Sequence, residues 1–303
     1  MGLAATVAGC ANAPPSKPLA SDTVAQSSAW PQTQAIRLTS RDGTQISGWW
    51  LPAQGGGATA SANVSAASAR PVVVLLHGCG GLYSSARERA GMLSLRHGGM
   101  AERLSAQGWH VVMPDSLTAR GVCSLCEQRY SERSVHQSHR REDVLGTLQW
   151  LARQPWADAS RVALLGWSHG GSAILAATDL REAAVRNAAL KPVTSVAFYP
   201  GCADALKRGY QPSGSLLMLL GEKDDWTDPG PCIELGRRIA APARVYPDSY
   251  HGFDEPTGTV RLRRDVPNGV NPGQGVHVGR NPVTGPQAWA DAIAHLRDTF
   301  KSF

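Results

Sequence analysis

No apolar run in this 303-residue chain approaches the roughly 20 residues that a bilayer-spanning helix requires. A basic stripe interleaved with aromatics is missing as well. The formal charge is +6, but arginine far outnumbers lysine and the basic residues are scattered, which argues against nucleic acid as a partner. The one basic cluster, Arg261-Leu262-Arg263-Arg264, reads as a solvated loop face that could attract an anionic substrate or surface. Metal spacing is also lacking: no two of His97, His136 and His139 stand four apart beside a carboxylate, so no metal ion is expected. There is no repeat period and no internal linker after residue 70. With 42% hydrophobic and 18% charged residues, the composition suits a globular enzyme built on one core.

What is present begins with an apolar stretch from Leu3 to Ala8. It runs into Val7-Ala8-Gly9-Cys10 and then a spacer rich in Pro, Ala and Ser to about Pro31. The pattern resembles a bacterial lipoprotein signal, in which small residues precede a cysteine that becomes lipidated. No Lys or Arg precedes the apolar run, which is short, so the alternative is a flexible tail with an incidental cysteine. The expected division is residues 1–31 as signal and spacer and residues 32–303 as a single domain. On this reading the protein is exported, periplasmic or membrane-anchored through Cys10; the flexible-tail reading leaves it cytoplasmic.

Five further cysteines, Cys79, Cys123, Cys126, Cys202 and Cys232, are an odd number and imply at least one free thiol. In an exported protein Cys202 and Cys232 are the expected disulfide, because each follows a predicted strand end. Cys123-Ser124-Leu125-Cys126 lies in a polar loop, with no second ligand pair at zinc-finger spacing. A local disulfide or two inert thiols is therefore preferred there over redox chemistry or metal.

Two strand candidates, Gln34 to Leu38 and Gln45 to Leu51, flank the turn signal Arg41-Asp42-Gly43-Thr44 and read as an antiparallel hairpin. Gln54 to Ala69, rich in Gly, Ala and Ser, reads as a mobile surface loop. Pro71 to Leu76 is a continuous β-branched and leucine run, and similar runs recur at His110 to Met113, Val162 to Leu165, Val193 to Phe198, Ser215 to Leu220 and Ala243 to Tyr246. Strands without alternation are covered on both faces. Helical spacing lies between and after them: Val144, Leu145, Leu148 and Leu151 share one face, and Trp289, Ile293, Leu296 and Phe300 share another. The order predicts an α/β fold with a mostly parallel central sheet of about eight strands and helices on both faces.

Gly166-Trp167-Ser168-His169-Gly170 follows the apolar run Arg161 to Leu165 and precedes the small-residue run Gly171 to Ala177. This is a strand, a tight turn and a helix with serine at the apex. Serine is a poor nucleophile unless its hydroxyl is exposed beside a base and faces N–H donors for the oxyanion. Glycines two before and two after Ser168 allow the strained turn of a nucleophile elbow.

Four segments occur in the order His77-Gly78-Cys79-Gly80-Gly81, then the elbow, then Gly221-Glu222-Lys223-Asp224, then His251-Gly252-Phe253. Over residues 34 to 303 this order resembles the α/β-hydrolase family, in particular its dienelactone-hydrolase-like branch. The resemblance implies Ser168 as nucleophile and His251 as base. Asp224 is the implied acid, with its neighbour Asp225 as the alternative. The backbone N–H groups of Cys79 and His169 are implied as the oxyanion hole. The namesake dienelactone hydrolases carry cysteine at the elbow; here Ser168 stands there, and Cys79 is on the wrong strand for attack. His77 is expected to hold its loop and Trp167 to pack the elbow. Asp115 and the loop to Tyr130 are expected near the mouth, and Glu255 to Gln287 is too long for a plain connection and is expected to cover part of the site. The implied activity is a serine hydrolase that cleaves carboxylic esters of small or medium acyl groups without a cofactor. The alternatives are a serine peptidase or amidase on the same scaffold, and a non-catalytic surface-anchored binding protein.

Overall fold

Apolar runs hidden on both faces need a layer of helices above and below them. The computed structural model, which describes residues 32–55 and 69–303, has that arrangement. The expected signal, its spacer and Cys10, and all but the ends of the Gln54 to Ala69 loop, lie outside the described residues. Strands β1 (Gln34–Thr39) and β2 (Gln45–Leu51) form the antiparallel hairpin, and β2 pairs antiparallel with β4 (His110–Pro114). The remaining strands, β3 (Arg70–Leu76), β5 (Ala157–Trp167), β6 (Thr194–Phe198), β7 (Ser215–Gly221) and β8 (Ala243–Tyr246), run parallel with β4. The sheet is therefore mostly parallel, in the order β1-β2-β4-β3-β5-β6-β7-β8.

Consecutive residues of one strand serve two cores. Val73 and Leu75 pack with Val111, Leu165 and Leu219 against α1 (Leu95–Ser105) and α7 (Thr284–Lys301), through Met100, Leu104, Trp289, Leu296 and Phe300. Val72, Val74 and Leu76 face the other way, onto α2 (Gln137–Leu151) and α3 (His169–Thr178), through Val144, Leu148, Leu151 and Ile174. Burying each such side chain contributes about 1.5–3 kcal/mol. A one-residue slip in register would exchange the two faces of a strand.

Short helices α4 (Ala183–Arg186), α5 (Ala203–Arg208) and α6 (Gly230–Arg238) complete the connections. Two short strands, β9 (Arg261–Arg263) and β10 (Val276–Val278), form a separate antiparallel pair. With Trp226, Cys79, Leu117, Leu125, Cys126 and Val135, the valines of that region make a third, smaller apolar cluster over the carboxyl ends of the strands.

Candidate active site

The end of β5 turns sharply into α3, and Ser168 occupies the turn with φ 51° and ψ −116°. Its N–H donates to the Phe198 carbonyl at 2.8 Å, and its carbonyl receives the Ser172 N–H at 2.9 Å. The residue is thus pinned between β6 and the first turn of α3. A Cβ on Gly170 would stand 2.1 Å from the Leu76 carbonyl oxygen, so only glycine lets the helix start this close to β3.

His251 is brought to the serine by a second close approach. A Cβ on Gly221 would lie 2.5 Å from the Ser249 carbonyl oxygen, so the bare backbone at the end of β7 lets the segment after β8 cross it. His251 Nε2 lies 2.9 Å from Ser168 Oγ, and its Nδ1 lies 2.8 Å from Asp224 Oδ2. The partners assign the tautomer: a carboxylate can only accept, so Nδ1 carries the hydrogen and Nε2 is free to take the serine proton. The other Asp224 oxygen accepts the N–H groups of Trp226 at 3.0 Å and Thr227 at 2.8 Å, which fixes the carboxylate. The imidazole sits between the Tyr199 and Trp226 rings, with centroids at 4.5 Å and 4.7 Å.

Asp225 is directed elsewhere. Its Oδ2 lies 2.7 Å from His277 Nδ1 and its Oδ1 accepts the His277 N–H at 2.8 Å, so it fastens the β9–β10 hairpin. That hairpin occupies the long Glu255 to Gln287 segment, and it packs behind Trp226 rather than among the residues that line the cavity. The cavity holds about 500 Å³ and is bounded by Cys79, Ser168, His169, Arg133, Tyr130 and Trp226, among others. Arg133 is buried, its guanidinium 4.4 Å from the centre of the Tyr130 ring. Burial lowers its pKa.

His77 is fully buried; its Nδ1 donates to the Gly78 carbonyl at 2.8 Å and its Nε2 accepts the Ser116 N–H at 3.2 Å. Desolvation holds its pKa well below the usual range, reinforced by the nearby Arg140 charge. Trp167 is buried and donates to Asp254 Oδ2 at 2.7 Å. Asp115 turns the chain after β4 by accepting the Leu117 and Thr118 N–H groups. His97 packs edge-on against Trp167, while His136 and His139 form a capping box at the start of α2.

The cysteines depart from two expectations. Cys126 bonds to Cys79, not to Cys123, whereas Cys202 bonds to Cys232, the pair expected. The Leu125 N–H donates to the Cys79 carbonyl at 2.8 Å, which lays Cys126 against Cys79, and the bond formed there uses the sulfur that a local bridge would need. Cys123 is disulfide-bonded as well, so the expected free thiol is not found among the described residues.

Two buried charges escaped the sequence reading. Arg140, fully buried on α2, donates from Nη1 to the His77 carbonyl at 2.7 Å and to His169 Nδ1 at 3.2 Å, tying the two expected oxyanion segments together. Burial lowers its pKa to about 10. A signal existed: Arg140 precedes Val144, Leu148 and Leu151 at spacings of four, four and three, so it continues the buried stripe. Asp254 accepts from Trp167, Tyr199 and Trp289 and faces Arg96 at 3.5 Å. It immediately follows Phe253, in neither a helical nor a strand pattern, and nothing in the local sequence marks it.

A mostly parallel eight-stranded sheet, with a serine raised on the turn between its fifth strand and the following helix, defines an α/β-hydrolase. The chain belongs to the dienelactone hydrolase family, whose family model matches residues 59–299. It is a hydrolase. Similar solved structures include a dienelactone hydrolase-like promiscuous phosphotriesterase from metagenomic libraries, 20% identical with a TM-score of 0.57, covering 88% of this chain and 99% of that one. Thermogutta terrifontis esterase 2, phosphoramylated by tabun, is 14% identical with a TM-score of 0.57 and covers 89% and 95%. A puromycin-hydrolyzing peptidase of Mycobacterium tuberculosis is 16% identical with a TM-score of 0.53, covering 75% of this chain and 37% of that one. At these identities the likeness is one of fold. Comparison with curated proteins gives no match.

Proposed function

We propose that the protein is a serine hydrolase that cleaves carboxylic esters through an acyl-enzyme intermediate on Ser168. The supporting observation is the continuous hydrogen-bonded line from Ser168 Oγ through His251 to Asp224, with spans of 2.9 and 2.8 Å. Ser168 Oγ attacks the acyl carbon while His251 Nε2 takes its proton, and Asp224 holds the ring and offsets the imidazolium charge. The oxyanion is received by the backbone N–H groups of His169 and Cys79, both on the cavity wall. His251 returns the proton to the leaving alcohol, then activates the water that releases the acid. No step requires a cofactor. A cavity of about 500 Å³ suits a small or medium acyl group, and a substrate acceptor reaching the Tyr130 side would meet the Arg133 guanidinium.

The test is a series of aryl esters of graded acyl length, run beside aminoacyl amides with wild type and Ser168→Ala. Ester turnover that falls at least about a thousandfold on substitution supports the proposal. Amide turnover exceeding ester turnover would replace it with a peptidase or amidase, and turnover surviving Ser168→Ala would end it. We further propose that the protein works after export, in an oxidising compartment. The disulfide-bonded state of Cys79, Cys123, Cys126, Cys202 and Cys232 supports this. Cell fractionation that recovers it only from the cytosol, with these cysteines reduced, would contradict the reading.

A further inference from the structure

An oxyanion donor stabilises the transition state only if it is held in place before charge develops. The expected donor at Cys79 lies in His77-Gly78-Cys79-Gly80-Gly81, where three of five residues are glycine and the backbone is intrinsically loose. Its amide plane is steered from one side. The peptide unit is planar, and its carbonyl, that of Gly78, receives His77 Nδ1 at 2.8 Å and the Gly81 N–H at 3.3 Å. What remains is the Cα of Cys79, on the far edge of that plane.

Two bonds fix it, and both run to one neighbouring segment: the Cys79 carbonyl accepts the Leu125 N–H, and its sulfur is joined to Cys126. The segment is itself anchored. Asp115 caps its start, and Arg120 bonds both oxygens of buried Asp143 on α2 and reaches Asp42 in the β1–β2 turn. From Glu127 an ion pair of 2.6 Å runs on to Arg263 of β9. The side chain of an oxyanion residue has no part in the chemistry, yet here it is tied into a rigid frame.

We infer that the Cys79–Cys126 disulfide positions the oxyanion hole, so that Cys126, which bonds to no reacting atom, is a positioning residue for acyl transfer. The inference rests on the proposed roles of Ser168 and the Cys79 N–H. Breaking the bridge removes no contact of Ser168, His251 or Asp224. It frees one donor of two, and the effect falls on the step in which the oxyanion forms.

The test compares wild type with Cys126→Ser and with the double variant Cys79→Ser/Cys126→Ser. Steady-state hydrolysis of an aryl ester and the second-order rate of Ser168 modification by a fluorophosphonate are both measured, because each forms an oxyanion-like centre. Removing an oxyanion donor typically costs on the order of a hundred- to a thousandfold in kcat, so displacing one is expected to cost about ten- to a hundredfold. Both variants should lose kcat equally, since they lack the same bond, with KM within about threefold and phosphonylation slowed in parallel. Folded variants with kcat within twofold of wild type overturn the inference, as does a rise in KM at unchanged kcat. If the variants do not fold, wild type is titrated with reductant while differential alkylation follows each pair. Activity should then fall in step with opening of Cys79–Cys126, and activity that tracks only Cys202–Cys232 overturns the inference. Ser168→Ala separates the two readings: if it retains turnover, the proposed function fails; if it is inactive while Cys126→Ser is unaffected, only the present inference fails.

Discussion

A serine held at positive φ carries about 1–3 kcal/mol of backbone strain, and the bonds from Ser168 to Phe198 and Ser172 are what maintain it. The same economy of contacts separates the two adjacent aspartates. Asp224→Asn leaves the geometry but presents the wrong hydrogen-bonding pattern to His251 Nδ1, and should lower kcat by about a thousand- to ten-thousandfold. Asp225→Asn should leave kcat within about tenfold, because its partner is His277. Equal losses from the two, measured on one ester, would contradict the assignment. Spacing could not separate these residues, since both follow Gly221 within four positions and the partner of Asp225 arrives from a hairpin 52 residues away. Ser168 and His251 were legible because each sits in a short motif whose backbone requirement is itself a sequence signal. The buried charges Arg140 and Asp254 act through contacts across the fold, and only Arg140 left a trace, as a basic residue in an apolar stripe.

At the scale of elements, the runs from Pro71 to Tyr246 were readable as strands because a strand buried on both faces has no reason to alternate. β5 begins earlier than its apolar run, at Ala157, because Arg70 pairs with Ala157 before the register shifts at Val72. β9 and β10 escaped notice, being three residues each with exposed Arg261 and Leu262 on one strand; what holds them is Asp225, Glu127 and Trp226, not a pattern of their own. The Cys202–Cys232 bridge joins the start of α5 to α6, closing a separation of 30 residues. Replacing Cys232 and Cys202 together by serine should cost about 2–4 kcal/mol of stability. Urea unfolding with an unchanged midpoint would show that the two helices are held without it.

The molecule as a whole buries neutral histidines on both faces of its sheet. Desolvation lowers His97 to about 3, assisted by Arg96, and lowers His110 to about 4, assisted by Arg70; burial and the Arg140 charge also lower His77 and His169. His110 Nδ1 already accepts from the Ala53 N–H at 3.1 Å and Trp50 Nε1 at 3.3 Å, so a proton there would displace both. Below the ordinary imidazole value of about 6.5 the unfolded chain takes up protons that the folded protein refuses, so stability is present at neutral pH and is lost on acidification. Each such histidine costs up to about 1.4 kcal/mol of stability per pH unit below that value. The thermal midpoint should therefore fall steadily from pH 7 to pH 4.5, and a flat or rising midpoint would contradict the neutral assignment.

The proposed function requires that His251 make Ser168 nucleophilic. Its most direct measurement is the site and rate of fluorophosphonate labelling, read by peptide mass spectrometry in wild type and in His251→Ala. A single adduct is expected, on Ser168, formed at least about a hundredfold more slowly without the imidazole. An adduct on another residue, or equal labelling of Ser168 in both proteins, would contradict it.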